Sequence, residues 1–115
     1  MTLKKVTLLG SIALALITSY PQNVRADIFK NSDFLEMQEE RQKFWLTGAL
    51  ETLVHVAAFK NKDLGQCVND WYFSEKMAER NWLIMESIKK YPDHTPSAIL
   101  VALTQRACGE YLNAE

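Results

Sequence analysis

Residues 32–60 read SDFLEMQEERQKFWLTGALETLVHVAAFK, 29 residues without a proline. Phe34, Met37, Arg41, Trp45, Gly48 with Ala49, Thr52 with Leu53, and Val56 recur every three to four residues, the period of one face of an α-helix. Asp33 followed three residues later by Glu36 has the form of a helix start. The pattern predicts one long amphipathic helix from Ser32 to about Lys60. Gly48 inside it costs about 1 kcal/mol relative to alanine. It therefore predicts either a bend that splits the helix or a close contact where a side chain would not fit. The turn chemistry of Asn61 to Gly65 predicts the end of the helix.

Working outward, residues 65–73 carry Cys67, Asn69 and Asp70 and then Trp71-Tyr72-Phe73, an aromatic cluster in what is expected to be a connector. Such rings either plug an open end of the bundle or form an exposed patch for a partner. Ser74 caps a second predicted helix to about Lys90, with Met77, Trp82 or Leu83, Ile84, Met85 and Ile88 as its apolar face. Tyr91-Pro92-Asp93 breaks it. Thr95-Pro96 marks a third helix, threonine capping and proline in the first turn, where its missing N–H costs nothing. Ile99, Leu100, Ala102, Leu103, Ala107 and Tyr111 carry that helix's apolar face; Gly109 either stops it or lets it fray on to Leu112. No segment alternates as a strand does. The expected fold is all-α, a small disulfide-stapled bundle of three to four helices, the fourth arising if Gly48 splits the first.

The opening of the chain has a different character. Lys4 and Lys5 precede Val6 to Thr18, thirteen uncharged residues, and Val24-Arg25-Ala26 puts small residues where a signal peptidase reads them. A membrane span needs about 20 apolar residues, and this run stops at Tyr20-Pro21. Residues 1–26 are thus expected to be a cleaved signal peptide, and 27–115 a single helical domain working in the periplasm or outside the cell, without a stable membrane anchor. Loss of Lys4, Lys5 and Arg25 from a chain with 13 basic and 14 acidic residues leaves 10 against 14, a charge of −4. A mildly acidic surface without a basic run argues against nucleic acid or anionic lipid as a partner.

Both cysteines, Cys67 and Cys108, fall after the expected cut. In a short exported chain an even count most simply means a disulfide; free thiols or an intermolecular bridge are the alternatives. A loop of about 40 residues closed this way contributes roughly 3–4 kcal/mol on the chain-entropy view.

Chemistry is sparse. The soft metal ligands are Cys67, Cys108, His55 and His94, at no zinc-binding spacing, so no metal or cofactor is expected. No serine lies on a Gly-flanked elbow, and bridged cysteines offer no thiolate. The acidic residues recur beside lysines and arginines as a solvated helix face does. The expectation is a binding protein and not an enzyme. Recognition by loops on a rigid helical frame would centre on Trp71, Tyr72 and Phe73 and on Tyr91 and His94 of the following turn.

The segment with Trp45-Leu46-Thr47-Gly48, Cys67, Tyr91-Pro92 and the final helix from Pro96 to Ala107-Cys108 resembles the Tai/Rap-type immunity proteins associated with type VI secretion. Those proteins show aromatic-Ile-x-Gly, a cysteine, a helix closing on His-Pro, and an Ala-Leu helix ending in Pro-Cys. Here Ala107 stands before the last cysteine, and no cysteine lies between Gln38 and Lys43. The resemblance implies a periplasmic inhibitor that binds a peptidoglycan-amidase effector, often as a dimer that inserts a loop into the enzyme's cleft, so that a homodimer is one expectation. The Ser32-Asp33-Phe34-Leu35 start and the short, acidic, one-disulfide design are also similar to the HdeA-type acid-stress chaperones of the periplasm, which implies client binding at low pH. A structural accessory subunit of an envelope complex is a third expectation.

Overall fold

The computed structural model describes residues 28–112. The expected signal peptide, the cut before Asp27 and residues 113–115 lie outside the described residues. Five helices follow one another: α1 (Asn31–Glu36), α2 (Glu39–Lys60), α3 (Lys62–Tyr72), α4 (Met77–Lys90) and α5 (Pro96–Cys108), with no strand among the described residues. The fold is an all-α bundle stapled by a Cys67–Cys108 disulfide, the two Cα atoms 5.8 Å apart. None of the described helices is long and apolar enough to cross a membrane.

The helix expected over 32–60 is two helices. Met37 and Gln38 adopt extended backbone (ψ 150° and 145°) between them. The Gln42 side-chain amide, Nε2, reaches back across the break and donates to the Phe34 carbonyl at 3.0 Å, sharing that acceptor with the Met37 N–H. Neither Met37 nor Gln38 disfavours helix, so periodicity alone passes over the break. Packing creates it. The turn lets α1 lie on α4 while α2 lies along α3, and it brings the Phe34 and Trp45 rings to a 5.4 Å edge contact. Phe29, just before the Lys30 cap, packs edge-on to Phe34 at 6.5 Å, a hydrophobic staple at the start of α1. The Asp33 carboxylate accepts from the Lys30 N–H at 2.9 Å, so Asp33 lies inside the first turn and is not its cap.

Gly48 neither splits α2 nor sits at a close contact. The helix runs through it, and an added Cβ would meet nothing within 4 Å. The glycine with no room is Gly65, where a Cβ would lie 2.5 Å from Ala58 Cβ and 2.9 Å from Ala58 Cα. The expected connector is therefore a helix, α3, crossing α2 closely enough that only glycine fits. Asn61 serves both helices: its N–H donates to the Ala57 carbonyl at 3.1 Å, ending α2, and its side-chain oxygen accepts from the Asp63 N–H at 2.8 Å, starting α3.

Ser74 organises the turn before α4 from a distance, its hydroxyl accepting from the Lys76 N–H at 3.2 Å, and the helix proper begins at Met77. Thr95 caps α5 through a 3.2 Å bond from the Ala98 N–H, with Pro96 in the first turn. Gly109, at φ 114°, stops α5 in a conformation that side chains other than glycine rarely adopt. After this stop the chain does not fray: the Gln105 side chain accepts from the Tyr111 and Leu112 N–H groups at 2.9 and 3.0 Å.

Two cores result. The larger joins Phe34, Leu46, Leu50, Tyr72, Ile84, Ile88, Ile99 and Leu100, drawn from all five helices. Each large apolar side chain fully removed from water there contributes about 1.5–3 kcal/mol. The smaller gathers Ala57, Val68 and Tyr111 next to Cys108, beneath the disulfide. Thr104, wholly buried, donates to the Leu100 carbonyl at 2.7 Å, and with its proton committed there its oxygen accepts from the Tyr111 hydroxyl at 2.6 Å. Burial raises the Tyr111 pKa above its ordinary value, and the bond to Thr104 partly opposes the rise.

Candidate functional site

Among the described residues, no group of three or more His, Cys, Asp or Glu side chains is arranged to hold a metal ion. A surface groove lies between α2 and α4, closed at one end by the tail of α1. Its volume is about 530 Å³. Leu46 forms a buried floor, with half-buried Leu35, Met37 and Met85 packed beside it. Trp82 stands on the α4 bank, 66 % exposed. An exposed ion pair flanks each bank, Lys43 with Glu39 at 3.4 Å on α2 and Lys89 with Glu86 at 3.5 Å on α4.

The walls are braced from behind. Gln42, which lines the groove, is held by its bond to Phe34, and Asn81 on the opposite wall accepts from the Tyr72 hydroxyl at 2.7 Å. Tyr72 is only 2 % exposed. Burial pushes its phenol pKa up, the bond to Asn81 pulling the other way. A side chain so deeply placed offers no surface to a partner; Tyr72 instead orients a groove residue from inside the core.

Its two neighbours are half-buried. Phe73 packs edge-on to Tyr72 at 4.9 Å, and the Arg80 guanidinium lies 5.2 Å from the centre of the Trp71 ring while its Nε donates to the Trp71 carbonyl at 3.0 Å. The three aromatic residues thus knit the α3–α4 joint and its core, and do not form one exposed patch. Tyr91 and His94 do stay together at the surface, their rings 5.2 Å apart in an edge contact, with Lys90 over the tyrosine at 5.7 Å. Their turn is fastened from below by α1. The Asn31 N–H donates to the His94 carbonyl at 2.7 Å, its side-chain amide donates to the Tyr91 carbonyl at 2.8 Å, and the Ser32 N–H reaches Pro92 at 3.2 Å. Asn31 itself is fully buried.

Sequence reasoning missed the groove, although one signal for it exists. Trp82-Leu83-Ile84-Met85 is four large apolar residues in a row on a helix, and successive residues are about 100° apart, so they cannot all face one core. Ile84 is buried, Leu83 and Met85 are half-buried, and Trp82 is left outside. The groove's other components, Leu35, Met37 and Leu46, come from two helices that the sequence pattern joins into one. No protein-family model, curated protein or solved structure matches the chain.

Proposed function

We propose that this chain is an exported protein-binding domain that uses the α2–α4 groove to take apolar side chains of a partner, most simply as an inhibitor of the immunity type. The observation that carries the reading is Trp82, 66 % exposed beside an apolar floor of leucine and methionine. Tryptophan anchors at the centre of an interface are over-represented among the residues that dominate affinity, and a charged rim around them excludes water and selects register. The intramolecular disulfide fits an oxidising compartment outside the cytoplasm. A peptidoglycan-amidase effector as the target rests on the sequence resemblance, and the fastened Tyr91–His94 turn is the loop that would reach a cleft.

An acid-triggered chaperone gains less support. Such a switch needs carboxylates whose neutralisation undoes packing, and every Asp and Glu among the described residues is exposed.

The test is affinity capture at neutral pH with the disulfide-formed protein immobilised, in wild-type and Trp82→Ala forms. The expected outcome is one defined partner retained by the first and lost from the second. Retention of no defined partner, or equal retention by both, would overturn the assignment to the groove.

A further inference from the structure

The groove between α2 and α4 is apolar on its floor and polar on its walls, and the amides of the two walls are set in opposite senses. Gln42 on the α2 wall spends an Nε2 proton on the Phe34 carbonyl at 3.0 Å. A carbonyl can only accept, so this amide cannot turn round without losing the bond, and Oε1 is left as an acceptor unpaired among the described residues. On the α4 wall, Asn81 Oδ1 takes the proton of the Tyr72 hydroxyl at 2.7 Å, which leaves Nδ2 as a donor unpaired among the described residues. The one fully buried side-chain oxygen or nitrogen without a partner among those residues is Asn31 Oδ1, so both free amide ends still meet water. One wall offers an acceptor and the other a donor.

An occupant that displaces this water has to replace both bonds, because a polar group covered without a partner costs more than an ordinary hydrogen bond returns. A purely apolar plug satisfies neither wall. A helix spends its N–H and C=O groups on its own bonds four residues apart and has none to give along its sides. An extended segment carries them on both edges, while its side chains alternate between its two faces. Laid along the groove, it turns a carbonyl to Asn81 Nδ2 and an N–H to Gln42 Oε1, and drops every second side chain onto the Leu46 floor beside Trp82. Charge narrows the choice further. The charged groups that line the groove are already matched, Glu39 with Lys43 and Glu86 with Lys89, so a charged residue entering it finds no unmatched counterpart.

We propose that the occupant of the groove is an uncharged, extended segment of the partner protein, held by its backbone between Gln42 and Asn81 with an apolar side chain on Leu46. This inference rests on the groove as the binding site and adds what is bound there. In this mode the main chain supplies affinity, and the pocket beneath alternate side chains supplies selectivity. Gln42 and Asn81 are then the residues that read the backbone, and Tyr72 is a positioning residue that fixes which end of the Asn81 amide is free.

The test is selection of short random peptides on the full chain, expressed for export and purified with Cys67–Cys108 formed, after removal of peptides that also bind Trp82→Ala. The expected binders carry apolar residues two positions apart with no charge between them. In the best of them, replacing one backbone amide by an ester, which removes a single N–H, should weaken binding at least ~10-fold at one position and be tolerated at its neighbours. Asn81→Asp keeps an acceptor for the Tyr72 hydroxyl but exchanges the free donor for a carboxylate oxygen, and should weaken the same peptide at least ~10-fold with the circular dichroism unchanged. Binders that need Trp82 but repeat their apolar residues every three to four positions, or that are indifferent to the esters or to Asn81→Asp, would overturn the extended occupant and leave the groove standing. A selection that yields no peptide dependent on Trp82 would overturn both.

Discussion

The two ends of this bundle are built on opposite terms. At the stapled end, Gly65 presses α3 against α2, the disulfide joins α3 to the end of α5, and the tail folds back so that Tyr111 meets Thr104. At the groove end, α2 and α4 stand apart over Leu46, and Trp82, Met85 and Met37 face the gap. One end spends its apolar residues on closure and the other displays them. A domain this small has little stability to spare, so closing one end firmly is what lets the other leave tryptophan and methionine on show without the bundle opening.

The comparison breaks most easily at the disulfide. Replacing Cys67 and Cys108 together by serine should cost about 3–4 kcal/mol for a loop of this length. That would appear as a fall in melting temperature of roughly 15–25 °C, reproduced in the wild type by reductant. A much smaller fall would mean that packing alone closes that end.

Next come the two glycines. Gly65→Ala forces a Cβ to within 2.5 Å of Ala58 and should destabilise by about 1–3 kcal/mol. Gly48→Ala, with nothing within 4 Å, should stabilise by up to about 1 kcal/mol. Denaturant titration at low protein concentration would measure both, and equal signs would contradict the contrast between them.

A finer probe is Tyr111→Phe, expected to cost about 1 kcal/mol at neutral pH through the lost bond to Thr104. Its pH dependence has a definite sign. Burial raises the folded-state pKa of Tyr111 and of Tyr72, so the folded protein holds those protons longer than the unfolded chain does. The resulting stability is complete below the ordinary tyrosine pKa near 10 and is lost as the pH climbs above it through the raised values. Tyr111→Phe should make the alkaline limb of a stability–pH curve shallower.

The smallest effect on stability belongs to the groove. Trp82→Ala, at a 66 % exposed position, should change folding stability by no more than about 0.5 kcal/mol, while partner capture is lost. A large loss of stability would make Trp82 a packing residue and move it to the closed end's side of the comparison.

Much of the architecture is legible residue by residue. Thr95-Pro96 marks the start of α5 and Gly109 its stop because capping and left-handed backbone are properties of those side chains and their immediate neighbours. The cysteine pair is legible because an even count in a short chain with an export-like leader has one simple meaning. The groove is harder to read, since its floor and banks come from residues as far apart as Leu35 and Lys89. Tyr72 shows the difficulty in a single side chain: an aromatic triplet in an expected connector suggests a patch, and only the helical course of α3 turns its middle member into the core.

What the sequence determines by itself is therefore the helical class, the caps of α5 and the two cysteines that form the staple, all of them dictated by local backbone chemistry or by the count of a rare residue. The tertiary structure alone decides that the first helix breaks at Met37–Gln38, that the connector is a helix, and that Gly65 and not Gly48 is the close contact. It also decides that Trp82 stays outside. Each of these depends on which helix packs against which, and a helix's period says which residues share a face without saying what that face will meet.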